Sequence, residues 1–206
     1  MTLIYSTKSL QVNDLISYPE IHINENETTF LIGPSGSGKT TYLKLLNRTI
    51  NTEQGHIYYN DSPIEEFDVL TYRKNVLLVP QEVFLLDDSI RQNYKFFYTA
   101  RNQNCPDDST ISKYLDLCCV DFSPSDNCTH MSGGERQRVF MSIYVSLATK
   151  VLLLDEPTSA LDNFTSQELM RNVKTYCNNK KITLVCVSHN EELIDLFADK
   201  IITLGD

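Results

Sequence analysis

No stretch of this chain approaches the roughly 18 to 20 consecutive apolar residues that a membrane-spanning helix needs. Its opening, Met1-Thr2-Leu3-Ile4-Tyr5-Ser6-Thr7-Lys8, lacks the basic-then-apolar order of a secretion signal, so a cytoplasmic protein is expected. Positive charge is in deficit: 18 Lys and Arg against 27 Asp and Glu give a formal net charge of −9, which argues against a nucleic-acid-binding surface. The six cysteines form no C-x-x-C pair, and reduced thiols are expected, with Cys186 read as a small core residue. Repeats, low-complexity tracts and Pro/Gly-rich linkers are lacking as well. The 206 residues therefore read as one domain spanning 1–206, long enough to bury a sizeable core.

What is present is a series of short apolar runs separated by stretches compatible with helices: Phe30–Ile32, Val76–Val79, Val151–Leu154, Ile182–Val187 and Ile201–Leu204. Their apolarity is continuous rather than alternating, as expected of parallel strands covered on both faces in an α/β fold. Four of these runs lead into a polar residue of chemical interest, namely Gly33, Gln81, Asp155 and His189. Ligands of open α/β sheets bind beyond the carboxyl ends of the strands, so the four are expected to converge. Ile21–Ile23 and His56–Tyr59 read as strands of a short antiparallel flank. Residues 82 to about 131 mix aromatic and charged side chains. With the helical spacing of Tyr114, Leu115, Leu117 and Cys118, they read as a small helical subdomain inserted into a core of about 1–81 and 132–206.

Gly33-Pro34-Ser35-Gly36-Ser37-Gly38-Lys39-Thr40 spells G-x-x-x-x-G-K-[ST] directly after an apolar strand and before the helical run that begins at Thr41. Glycines at such a turn let backbone N–H groups close around phosphate oxygens, and the helix N-terminus adds a partial positive charge. In this motif Lys39 reaches the β/γ-phosphates of a nucleoside triphosphate and the Thr40 hydroxyl ligates Mg²⁺. Val151–Asp155 is followed by Glu156, giving two carboxylates with separate expected tasks: Asp155 holds Mg²⁺, and Glu156 polarises the attacking water. In Met131-Ser132-Gly133-Gly134-Glu135, Ser132 and Glu135 have the spacing of a helix-opening capping box. Two glycines in that turn cost about 1 kcal/mol each relative to Ala if helical, yet they let a phosphate approach the backbone. Capping and anion binding are compatible there.

Taken together these elements resemble the ATP-binding subunit of an ABC (ATP-binding cassette) transporter: an α/β P-loop NTPase core with a mainly parallel sheet, an antiparallel flank and an inserted α-helical subdomain. Gly33–Thr40 is similar to the family's Walker A, Val151–Glu156 to Walker B, and Met131–Glu135 to the LSGGQ signature in an M-S-G-G-E form. Gln81 matches the Q-loop, Ser159-Ala160-Leu161-Asp162 the D-loop, and His189 the switch histidine. The resemblance implies ATP and Mg²⁺ as cofactors, nucleotide contacts from Gly33 through Thr41, and Mg²⁺ contacts from Thr40, Gln81 and Asp155. Glu156, His189 and Gln81 are the catalytic set it implies, with His189 holding the attacking water and Gln81 sensing nucleotide and Mg²⁺.

The same resemblance implies that two such subunits, identical or similar, sandwich ATP, with Ser132, Gly133, Gly134 and Glu135 of one covering the Walker A loop of the other. A separate transmembrane permease at the inner face of the cell membrane would be the partner. Small exporter ATPases, including the Fet-type iron-export group, are the nearest subgroup by resemblance. A non-transport ABC ATPase and a nucleotide sensor without turnover are the alternatives. Tyr5 is a candidate to stack on adenine or an ordinary strand residue, and Phe84-Leu85-Leu86 either docks the permease or fills the subdomain core.

Overall fold

The computed structural model describes residues 2–12, 16–52 and 54–205, so the Met1 and Asp206 ends of the expected domain lie outside the described residues. Five strands form a parallel sheet in the order β10-β4-β9-β8-β7, with β4 at Thr28–Ile32, β7 at Val76–Val79, β8 at Val151–Asp155, β9 at Thr183–Val187 and β10 at Lys200–Thr203. Every residue of β8 and β9 is buried, which is why both strands read as unbroken apolar runs.

Successive side chains of these strands point to opposite faces and seed two cores. Phe30, Leu152, Leu154, Leu184 and Cys186 join one cluster, while Leu31, Val151, Leu153, Val185 and Val187 join the other. The first cluster is covered by α3 (Ile90–Ala100), α4 (Asp108–Leu117), α5 (Gly133–Leu147), α6 (Asn163–Lys180) and α7 (Glu191–Phe197). The second lies beneath α1 (Lys39–Leu46), α2 (Val69–Asn75) and an antiparallel sheet.

That antiparallel sheet is built on β1 (Leu3–Val12), which pairs with β2 (Ile16–Ser17) and β3 (Ile21–Asn24) on one side and β5 (Gln54–Tyr59) on the other, with β6 (Ser62–Pro63) at the edge. The sequence announces β3 and β5 but not β1. Its register against β5 shifts between Lys8 and Gln11, where Ser9 takes a φ of 50°, so its inside-outside alternation changes phase midway. Gly55 sits opposite this bulge. A Cβ there would lie 2.3 Å from the Ser9 carbonyl oxygen, which only glycine avoids.

Two alternatives left open by the sequence are decided here. Tyr5 is fully buried, shares a 2.9 Å hydrogen bond with the Tyr72 hydroxyl, and packs its ring on Tyr59, so it faces no ligand. It is the strand residue of the two alternatives. Leu85 likewise belongs to the first core, because the helices that follow close over it, whereas Phe84 stays 54% exposed beside Phe96 and Phe97.

Candidate functional site

All five strands of the parallel sheet run the same way, so their carboxyl ends open on one edge, where a cavity of about 460 Å³ lies. Ser35, Gly36, Gly38, Lys39, Thr40 and Thr41 line it, together with Gln81, Glu156 and His189. The expected convergence of the four strand ends is therefore present.

The loop between β4 and α1 gets its shape from glycine. Gly38 has a φ of 88°, and a Cβ there would sit 2.7 Å from the Tyr18 Oη and 2.9 Å from the Ile16 Cγ2. Lys39 is held with its ammonium at the loop, donating to the Gly33 carbonyl at 2.8 Å and the Pro34 carbonyl at 2.9 Å. Its stem is buried, and its ammonium stands at the wall of the cavity.

Across the cavity floor the Thr40 hydroxyl donates to Asp155 Oδ1 at 2.9 Å. Burial pushes the Asp155 carboxyl up, opposed by the Thr40 hydrogen bond and by Lys44 and Lys39. A hydroxyl and a carboxylate side by side form the oxygen donor set that a hard divalent cation takes. These residues fit Mg²⁺.

Glu156 follows Asp155 in the left-handed region, with a φ of 52°. That turn swings its carboxylate out of the strand and into the cavity, where Oε1 lies 3.1 Å from His189 Nε2. Burial raises the Glu156 carboxyl above its ordinary value. The His189 charge opposes that rise, and the neighbouring Asp155 reinforces it. His189 is 55% exposed and the Glu156 side chain 19%, so the pair spans the boundary between cavity wall and solvent. A base raised by burial and a histidine within reach are the parts that activation of a water requires.

The signature residues lie elsewhere. Ser132 caps α5, accepting from the Glu135 N–H at 3.3 Å while its own N–H donates to Glu135 Oε2 at 2.7 Å, so the expected capping box is closed. Ser132 and Gly133 are exposed, and a Cβ on Gly133 would meet open space. Ser159, Ala160 and Leu161 pack beside this turn, and Asp162 caps α6 by accepting from the Thr165 N–H at 2.9 Å. None of the cavity-lining residues comes from Ser132–Glu135.

Sequence reasoning missed Ile16, which forms a wall of the cavity, and Tyr18, whose hydroxyl donates to the Gly38 carbonyl at 2.9 Å. No local pattern marks either residue; the two reach the loop because β2 pairs with β1. Gln137 was also missed. It sits one turn into α5, and its side chain reaches Glu156 and Ser159.

The parallel sheet, the phosphate-type loop and the paired carboxylates define a P-loop nucleotide-binding protein. More narrowly, the ABC transporter family profile matches residues 17–159, and the chain belongs to that family. It is 32% identical over 171 residues to the multidrug resistance-like ATP-binding protein MdlA of Buchnera aphidicola, covering 80% of this chain and 30% of MdlA. It is 31% identical over 183 residues to the probable iron export ATP-binding protein FetA of Escherichia coli, covering 88% of this chain and 80% of FetA. The chain thus spans less than a third of MdlA but most of FetA. Its fold matches a Clostridium perfringens protein, part of the cbiONQ ABC transporter complex, at a TM-score of 0.84 and 23% identity, over 99% of this chain and 85% of that one. Among the described residues no helix is long and apolar enough to cross a membrane.

Proposed function

We propose that this chain binds Mg-ATP in the cavity at the strand ends, hydrolyses it, and through ATP-dependent pairing of two ATPase subunits powers a separate membrane permease. The observation that carries the reading is the ring of groups around one cavity: the Lys39 ammonium, the Thr40–Asp155 pair, and Glu156 against His189. Lys39 and the loop N–H groups would hold the phosphates. Thr40, Asp155 and Gln81 would hold Mg²⁺, which when bound neutralises charge on the phosphates. Glu156 takes a proton from the attacking water while His189 orients that water in line. The Ser132–Gly134 turn, exposed at Ser132 and Gly133, would offer the Ser132 hydroxyl and glycine N–H donors to the γ-phosphate in a partner's cavity, and hydrolysis would remove that contact.

Residues 82–131 form, in this reading, a helical insertion in a single ATPase domain, and Phe84 with Phe96 marks where the permease docks. The cover of FetA supports a separate ATPase subunit, and the chain would work at the inner face of the cell membrane. The test is ATP hydrolysis with and without Glu156→Gln. The variant is expected to bind Mg-ATP and turn it over at least about a hundredfold more slowly. Equal turnover by the two proteins would overturn the assignment of the base, and no turnover by the unmodified chain would overturn the ATPase.

A further inference from the structure

Glu156 holds a backbone conformation that side-chain-bearing residues rarely adopt, and its two peptide groups are fixed from different elements. Its N–H donates to the Val187 carbonyl of β9 at 3.1 Å. Its carbonyl accepts from Gln137 Nε2 of α5 at 3.4 Å. The same amide group lies 3.4 Å from Ser159 Oγ, and Gln137 Oε1 accepts from the Ala160 N–H at 3.3 Å. Gln137 is 6% exposed, so these contacts are sheltered from water. A second contact runs alongside: a Cβ on Gly134 would lie 3.0 Å from the Ala160 carbonyl oxygen and 3.0 Å from Leu161 Cδ2.

The first turns of α5 therefore rest directly on the 156–161 segment. We infer that Gln137 is a positioning residue for Glu156, tying the orientation of the base to the place of the Ser132–Gly134 turn on the same helix. The three contacts sit near the long limit of a hydrogen bond, so a displacement of α5 by a few tenths of an ångström strengthens or breaks them. Whatever the exposed turn engages outside the chain is then felt at the chain's own carboxylate. A base misplaced on the ångström scale loses turnover without losing substrate. The inference rests on the proposed role of Glu156 in hydrolysis, and its test is built to separate the two.

Gln137→Met keeps the length of the side chain and removes its hydrogen bonds. It is expected to lower kcat about tenfold while KM for ATP and the melting temperature stay close to those of the unmodified chain. Combined with Glu156→Gln it should add nothing, because both changes act on one group. Amide exchange in the protein without nucleotide gives an activity-free readout: the Ala160 amide, which Gln137 accepts from directly, should exchange faster in Gln137→Met, with α5 unchanged. Gln137→Glu separates the two contacts in a variant checked for folding by its melt, since it keeps the acceptor for Ala160 and loses the donor to Glu156. It should protect the Ala160 amide yet still lower kcat. An unchanged kcat and unchanged exchange in folded variants, a parallel loss of affinity and kcat, or full additivity with Glu156→Gln would each overturn the inference. If the unmodified chain hydrolyses no ATP, the ATPase reading fails, and faster or unchanged exchange at Ala160 still decides whether Gln137 holds the 156–161 segment.

Discussion

The cavity at the strand ends and the Ser132–Gly134 turn are both proposed to meet phosphate, yet one is finished within the chain and the other is not. In the cavity every charge has a partner: Lys39 is held by two loop carbonyls, Asp155 by Thr40, and Glu156 by His189. At the turn, the capping box satisfies the helix, and Gly133 beside it faces outward with nothing of this chain upon it. A glycine in a helix costs stability, and Gly134 recovers something through its close approach to Ala160 and Leu161 while Gly133 does not. The lesson of the contrast is that the cavity's demands are internal, whereas those of the turn point to another molecule.

The largest expected effect tests the self-sufficiency of the cavity. Lys39→Ala should weaken Mg-ATP binding by at least about a hundredfold in the isolated chain, because it removes a charge-assisted contact to the β/γ-phosphates. Titration calorimetry that returned the unmodified affinity would break the comparison on its first side. A smaller effect tests the outer surface. Phe84→Asp should leave folding and ATP binding intact and weaken association with the co-purifying permease about tenfold, the scale of a lost aromatic anchor. A thermal melt and a pull-down on the same variant check it, and an unchanged pull-down removes the docking role.

The smallest effect is electrostatic. Burial raises the Glu156 carboxyl, so the proposed base is protonated at a higher pH than a solvated carboxylate would be. Turnover should accordingly fall on the acid side from above the ordinary carboxylate range of about 4.3, and His189→Ala should move that limb further up in pH. A pH profile of kcat/KM with a limb at the ordinary value would contradict this account of the cavity.

Much of this was legible in the residues. Unbroken apolar strands announced a buried parallel sheet, and the polar residues at their ends announced the site, because parallel strands bring all those ends to one edge. Ser132 and Glu135 announced their own capping box. The rest depended on contacts distant in sequence. β1 was hidden by the bulge at Ser9, and Tyr5 could be settled only by Tyr72, a residue 67 positions away. Tyr18 and Ile16 reach the phosphate loop through strand pairing, which no local spacing records. Leu85 and Phe84 are adjacent and both apolar, yet one fills the core and the other faces outward, a difference set by how α3 packs.

The central claim, that the turn of one subunit completes the cavity of another, is tested most directly by sedimentation of Glu156→Gln at high concentration with Mg-ATP. A dimer with ATP, a monomer with ADP, and a monomer again when Ser132→Arg is added are the predicted results. A chain saturated with ATP that sediments as a monomer, or a dimer indifferent to Ser132→Arg, would contradict it.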